Sequence, residues 1–240
     1  MALDHAFMAR ARLVGEAVLR VYEWSVPVLS LGRNQRARGL YIVEELARRG
    51  ITVVRRPTGG RALVHHREIT YSLTAPAIPD ERLGVMYDRV NVLLVRALAA
   101  IGVSAALARP PSRSRTPSAM PCFAEPSRGE IVVAGRKLVG SAQWRGDGAL
   151  LQHGSVLVDD DQALLLSLMR EPAGMSARTA TLSEILGRAP QASEFANALF
   201  GAVRRLEDPG ATPMGDAECA ALDTSPFLAR YQDPQWTWRR

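Results

Sequence analysis

The spacing of apolar and polar positions divides the chain into a first part that alternates between helix and strand periods and a last part that is helical. Residues 2–15 (ALDHAFMARARLVG) repeat apolar side chains at a helical period. Two β-like stretches follow, VLRVYEW (18–24) and VPVLSLG (26–32), with Pro27 marking either a sheet edge or a strand start. Residues 40–49 predict a helix that Gly50 ends through a left-handed cap. The β-branched run ITVVRR (51–56) enters the turn Pro57-Thr58-Gly59-Gly60, and RALVHH (61–66) and EITYSLTAP (68–76) read as two further strands. A helical period resumes over 82–101, with Gly102 as its stop.

Residues 109–121 (RPPSRSRTPSAMP) break the pattern. Four prolines, three arginines and four serine or threonine side chains cannot build a core, so an exposed loop is expected, leading straight into Cys122. EIVVAGRKLVGSAQWR then predicts a hairpin turning at Ala134-Gly135, and GALLQHGSVLVD another strand. From about residue 161 the period is helical, with breaks at Pro172, Pro190 and Pro209-Gly210. There is no internal repeat and no interdomain linker. The expectation is one α+β domain over residues 1–240, with a mixed, mostly antiparallel sheet and packed helices. Its chemistry falls within residues 1–160, and residues 161–240 form a helical remainder.

Composition narrows the class. A hydrophobic fraction of 47% with 22% charged residues belongs to a globular chain rather than a disordered one. No apolar run approaches the roughly 20 residues that cross a bilayer, and Asp4 and His5 do not suit a secretory leader. Cys122 and Cys219 stand 97 positions apart, which is neither a disulfide framework nor a zinc spacing. A cytoplasmic enzyme without membrane attachment is expected. Net charge is +6, yet only 6% of residues are aromatic and no basic tract exceeds two consecutive arginines, so an acidic protein partner is favoured over nucleic acid. Of the 30 basic residues one is lysine, Lys137, and 29 are arginine. A GC-rich genome accounts for the arginines but not for the lysine that stays, and an ammonium on a flexible stem has uses that arginine cannot fill.

Four segments offer chemistry. In RRPTGGRALVHH (55–66) the glycine pair admits close approach to the backbone, and Arg55, Arg56 and Arg61 surround the turn with positive charge. A strand-turn-strand with surface arginines is the plainer reading. His65 and His66 are adjacent, so on a strand they face opposite ways and cannot share a metal. In GRKLVGSAQWR (135–145) the small residues Gly140, Ser141 and Ala142 interrupt a strand beside Lys137. His153-Gly154 interrupts the apolar strand LQHGSVLVD (151–159); alone, such a histidine is more often structural than catalytic. In PCFAEPS (121–127), Cys122 follows an arginine-bearing loop that favours a reactive thiolate, whereas Cys219 suits an inert helix position.

Taken in order, RRPTGGRALVHHREITYSL, PCFAEPSRGEIVVAGRKLVGSAQWR and GALLQHGSVLVD closely resemble the lipoate–protein ligase and octanoyltransferase superfamily, which includes the biotin–protein ligase catalytic domain. ALDHAFM and WSVPVLSLGRNQ resemble its N-terminal portion. The resemblance is dense over about residues 1–160. It implies that superfamily's catalytic-domain fold, and a substrate site drawn from Arg56, Thr58, Gly59, Gly60, His65, Gly140, Ser141, Ala142, His153 and Gly154, with no metal. Gly59, Gly60 and the 140–142 strand would line a narrow apolar tunnel for an eight-carbon chain. The roles of His65 and His153, including that of general base, stay open.

Within the superfamily, ligases use ATP to form an acyl-adenylate and usually carry an Arg-Asn-Asp sequence before the lysine hairpin. This chain has Pro126-Ser127-Arg128-Gly129-Glu130 there. One bacterial octanoyltransferase subgroup carries Cys-Phe-x-x-Pro-Ser, matched by Cys122 to Ser127. The resemblance therefore implies transfer of octanoyl from octanoyl-acyl carrier protein, through a Cys122 thioester, to a lysine of a lipoyl-domain protein. That acceptor is a glycine cleavage carrier protein or a dehydrogenase E2 subunit. Lys137 would sit beside the acyl carbonyl, Arg113 and Arg115 would help dock an acidic carrier, and the enzyme would act as a monomer without a cofactor. His66 departs from the aspartate many relatives hold, and SLGRNQ (30–35) is as similar to the ligases. The alternative is a short ATP- and Mg2+-dependent ligase with Lys137 on the adenylate. A catalytically dead binding module is a third class, against which the retention of both Cys122 and Lys137 speaks.

Overall fold

A computed structural model describes residues 1–108, 129–171 and 179–240. The first helix, α1 (Ala2–Val14), ends at Gly15 in the left-handed region. Strands β1 (Val18–Tyr22) and β2 (Val28–Leu31) precede α2 (Val43–Arg48), β3 (Thr52–Arg55), β4 (Leu63–His65) and β5 (Glu68–Pro76). Then come α3 (Leu83–Ala100), β6 (Ala106–Leu107), β7 (Ile131–Val133), β8 (Arg136–Gly146) and β9 (Ala149–Leu157). Six further helices complete the described chain: α4 (Gln162–Ser167), α5 (Leu182–Leu186), α6 (Ala192–Leu206), α7 (Asp216–Ala220), α8 (Ser225–Gln232) and α9 (Pro234–Thr237). Among the described residues no helix is long and apolar enough to cross a membrane.

The strands form two sheets rather than the single one expected. The larger is antiparallel throughout, in the order β1-β5-β9-β8-β7-β6. The smaller, β3-β2-β4, pairs β2 with β3 in parallel across α2 and with β4 antiparallel, so the mixed character resides there. Pro27 lies just ahead of β2, the middle strand, and therefore marks a strand start and not an edge. Both long hairpins turn on two residues with positive φ, Ala134-Gly135 and Asp147-Gly148. That geometry follows the right-handed strand twist and fixes the register of β7, β8 and β9.

One face of the large sheet is the main core. Ile69, Tyr71, Val139 and Val156 pack against Leu94 and Leu98 of α3 and Phe195 and Leu199 of α6, all of them buried. A second core lies beneath the small sheet, where Leu29, Leu31 and Val64 meet Leu46, Leu165, Leu168 and Met169. Each fully buried aliphatic side chain of this kind contributes about 1.5–3 kcal/mol. The opposite face of β5 is polar and still buried: Glu68, Thr70, Ser72 and Thr74 are all covered. Alternation along β5 thus separates an apolar core face from a polar interior face, not core from solvent.

Arg55 and Arg56 tie the small sheet to the loop after β2, the glycine turn and the C-terminal segment, and neither is the surface charge that the sequence suggested. The fully buried Arg55 donates from Nε to the Thr237 carbonyl at 2.8 Å and from Nη1 to the carbonyls of Gly32 at 2.6 Å and Gln35 at 2.8 Å. Arg56 donates to the carbonyls of Ser30 (3.0 Å), Gly59 (3.1 Å) and Arg61 (2.6 Å). The end of β2 and the glycine turn are held so close that a methyl on Gly32 would overlap the Gly60 carbonyl oxygen, while one on Gly59 meets open space. Gly32→Ala should therefore lower the unfolding free energy by about 1–3 kcal/mol or more, and Gly59→Ala should leave it nearly unchanged. Urea midpoints of the two variants check this, and equal midpoints would contradict the close approach.

Candidate active site

A cavity of about 230 Å³ opens where the polar face of β5, β9 and β8 meets the turn between β3 and β4. Strand register builds the sheet side of its wall. Thr70 pairs with Ser155 and Ser72 with His153, while Gly140 and Ala142 of β8 face Ser155 and His153. Arg56, Gly60, His65, Gly140, Ser141, Ala142, His153 and Gly154 all line the cavity, so eight of the ten expected substrate-site residues are brought together. Thr58 and Gly59 do not line it. Thr58 is buried and meets His153 Nε2 at 2.6 Å, and Gly59 offers its carbonyl to Arg56. Both build the turn rather than the wall.

The small residues have a steric reason. A Cβ on Gly154 would lie 2.5 Å from the Gly140 carbonyl oxygen, 2.7 Å from Tyr71 and 2.9 Å from Ser141 Oγ. Behind it the buried Tyr71 hydroxyl meets Ser141 Oγ at 2.6 Å and Gln152 Nε2 at 3.1 Å, closing the back of the wall with hydrogen bonds. Most of the polar side chains here bond one another, which leaves a wall that is mainly carbon.

Lys137 is one step back from the cavity. It is 2% exposed, and its Nζ donates to Glu130 Oε1 at 2.7 Å; Glu130 itself lines the cavity. The lysine that composition singled out is thus a buried cation paired with a carboxylate, an arrangement whose two charges stabilise each other only as a pair.

The two histidines differ in setting. His65 gives Nδ1 to Glu68 Oε1 at 2.6 Å and stacks on Trp24, with ring centroids 4.4 Å apart. His66 follows the end of β4, lies 3.2 Å from Asp161 and is part-exposed. Burial holds His153 down at about 3; Asp4 pulls upward, and Arg56 adds to the fall. Burial pushes the Asp4 carboxyl up, but the N-terminal ammonium and Arg20 outweigh it and carry Asp4 down to about 2. At neutral pH His153, on the cavity wall, is therefore a neutral imidazole, and the buried Asp4 of α1 is an ionised carboxylate. Among the described residues no group of three or more His, Cys, Asp or Glu is placed to hold a metal.

Residues 1–204 match the family model described as the lipoyl protein ligase A/B catalytic domain. The chain belongs to that family. An octanoyltransferase LipM of Kyrpidia tusciae is 38% identical over 267 residues, covering 100% of this chain and 94% of that protein. The LipM octanoyltransferase of Symbiobacterium thermophilum is 36% identical, covering 100% and 93%. Among solved structures, lipoate-protein ligase A bound with ATP superposes with a TM-score of 0.78 at 21% identity, covering 99% of this chain and 92% of that one. A bi-partite lipoate protein ligase from Thermoplasma acidophilum gives 0.76 at 21%, covering 99% and 89%. These last two share the fold of the lipoyl ligase family, which agrees with the expected architecture.

Cys122, with Arg113, Arg115 and the rest of residues 109–128, lies outside the described residues, as does the break at Pro172. Sequence reasoning missed Glu68, Glu130, Thr70 and Ser155. The available signal was alternation in EITYSL, which places Glu68, Thr70 and Ser72 on one face beside the His153 strand.

Neutral burial of His153 carries a pH signature. The unfolded imidazole takes a proton near 6.5, and the folded one does so only near 3. Between those values the unfolded state binds more protons, so stability falls as pH drops below about 6.5, by about 1.4 kcal/mol at pH 5.5. His153→Gln should remove that component. Urea midpoints at pH 7.5 and 5.5 test it, and an unchanged pH dependence in the variant would contradict a neutral His153.

Proposed function

We propose that this chain is an octanoyltransferase that moves an octanoyl group from octanoyl-acyl carrier protein to a lysine of a lipoyl-domain protein. The observation that carries this reading is the similarity to LipM octanoyltransferases along the whole chain. It is joined by the Cys122-Phe123-Ala124-Glu125-Pro126-Ser127 segment. The ligases it superposes on share its fold at 21% identity, too distant to set the reaction.

Energetics favour this route. Passing octanoyl from a carrier thioester to the Cys122 thiol exchanges one thioester for another, so no ATP is consumed. Attack by a lysine amine then forms an amide and runs downhill. Splitting the transfer in this way replaces one hard step by two easier ones. Cys122 is the nucleophile, and the Lys137 ammonium, held by Glu130 at 2.7 Å one step back from the cavity, supplies the positive charge that favours the developing oxyanion. Arg56, Gly60, His65, Gly140, Ser141, Ala142, His153 and Gly154 enclose the acyl chain, with Thr58 and Gly59 shaping the turn. Residues 1–240 act as one catalytic unit and as a monomer in the cytoplasm. The carrier is acidic and the acceptor is a glycine cleavage carrier protein or a dehydrogenase E2 lipoyl domain.

The test is a comparison of acyl donors. Apo lipoyl domain incubated with enzyme and octanoyl-acyl carrier protein, without ATP, should gain one octanoyl mass, while free octanoate with ATP and Mg2+ should give none. The opposite pattern would make the chain a ligase. In the same assay Lys137→Arg should lose on the order of 100- to 1000-fold in rate, because a planar guanidinium cannot replace a compact ammonium in a closed site.

A further inference from the structure

Six arginines gather where the loop after β2 meets the C-terminal segment. Arg33, Arg36 and Arg38 belong to the loop, Arg230 to α8, and Arg239 and Arg240 follow α9. Backbone groups stitch the two segments together. The N–H groups of Ala37 and Arg38 donate to the Arg240 carbonyl at 2.8 and 2.9 Å, and the Arg239 guanidinium donates to the Arg33 carbonyl. Arg36, Arg38, Arg230 and Arg240 are exposed, while Arg33 and Arg239 are half-buried. Among the described residues none of the six bonds an aspartate or glutamate side chain, and Asp233, between Arg230 and Arg239, accepts instead from the Gln235 N–H at 2.7 Å. Arginines elsewhere are paired: Arg48 and Arg49 share Glu45, Arg67 bridges Asp159 and Asp161, and Arg136 and Arg188 hold Glu184 and Glu194.

This crowding is repulsive. Burial lowers the pKa of the Arg239 guanidinium, and Arg33, Arg240 and Arg230 lower it further. Indole faces offset part of the charge, with Arg239 and Arg230 lying 4.2 and 5.2 Å from the centre of Trp236 and Arg33 5.4 Å from that of Trp144. A patch with no internal counter-charge draws an anionic surface toward it and turns a basic one away. Its position is equally telling. The Arg33 N–H donates to the Thr58 carbonyl at 2.8 Å, and Thr58 meets His153 of the cavity wall at 2.6 Å. Trp144, against Arg33, stands two positions along β8 from Ala142, which lines the same cavity. A protein seated on the patch is therefore at the cavity's edge.

We propose that this two-segment arginine patch docks the acyl carrier protein and steers its thioester toward the cavity. This rests on the transferase reading above. Of the two proteins that must visit the site, the donor brings both acidic side chains and the phosphodiester of the arm that bears its thioester, whereas the acceptor presents a lysine. Guanidinium forks match carboxylate and phosphate oxygens two at a time.

The experiment separates docking from chemistry by changing the donor. Formation of octanoyl-enzyme is followed by intact mass with octanoyl-acyl carrier protein and with octanoyl-N-acetylcysteamine, a small neutral thioester that has neither phosphate nor protein. Arg36→Glu/Arg240→Glu reverses two exposed charges of the patch. Arg96→Glu/Arg205→Glu makes the same change in net charge on α3 and α6, which pack on the other face of the large sheet. The patch variant should lose about 10-fold or more in the second-order rate with carrier protein and keep the wild-type rate with the small thioester, which also reports correct folding. The control pair should stay near wild type with both donors. Raising salt from about 0.05 to 0.5 M should slow wild type with the carrier protein and flatten that dependence in the patch variant. An unchanged carrier rate in the patch variant, equal losses with both donors, or equal losses in the control pair overturns the proposal. An unchanged carrier rate joined to lost binding of a single-stranded oligonucleotide assigns the patch to nucleic acid instead. A wild-type enzyme that never acquires octanoyl from the carrier protein overturns the transferase reading, and this proposal with it.

Discussion

Three carbonyl oxygens, those of Ser30, Gly59 and Arg61, converge on the buried guanidinium of Arg56 at 2.6–3.1 Å. An unsatisfied carbonyl in such a position costs about 1–3 kcal/mol, so a tight turn between β3 and β4 is stable only with this cation beneath it. The rest of the site depends on that turn. It brings Thr58 to His153, places Gly60 on the cavity wall, and forces Gly32 and Gly60 into backbone contact. Arg55 extends the same logic to the C-terminal segment through the Thr237 carbonyl. Buried arginines serving backbone oxygen thus hold the small sheet, its glycine turn and the C-terminal segment together, and the Thr58–His153 contact links that turn to the large sheet.

The second constraint is the buried polar face of the large sheet. Taking Glu68, Thr70, Ser155, His65 and Trp24 out of water is partly offset, because Trp24 donates to Thr70 while Thr70, Ser155 and His65 converge on Glu68 Oε1. A network of this kind is costly when incomplete and rigid when complete. It orients an imidazole beside a mainly carbon wall, and the Lys137–Glu130 pair supplies opposite charges at the neighbouring strand. Rigidity of this sort suits a site that must hold an acyl carbonyl against fixed charges.

Much of this was legible in the sequence, and the exceptions have physical reasons. Strand β5 spans the same residues as the EITYSLTAP stretch, and the hairpin turns at Ala134-Gly135 as its small residues require. Strand β6 was missed because two exposed residues carry no periodic signal. The split into two sheets escaped because alternation reports which face a residue takes, not which strand it pairs with. Arg55 and Arg56 read as surface charge, since a guanidinium satisfied by carbonyls looks in sequence like one satisfied by water. Glu68 and Glu130 likewise stand at strand starts, where a carboxylate is ordinarily solvated. Lys137 stood out through composition alone, and its burial against Glu130 gives that isolation a structural reason.

The central claim is that octanoyl passes through a cysteine thioester on this chain. The most direct measurement is peptide mapping of the enzyme after mixing with octanoyl-acyl carrier protein in the absence of any lipoyl domain. The account predicts one octanoyl group, on Cys122 and not on Cys219, removed by neutral hydroxylamine because a thioester carbonyl is far more electrophilic than an amide. An enzyme that turns over with the carrier-protein donor yet never carries octanoyl on Cys122, or that stays fully active as Cys122→Ala, would contradict it.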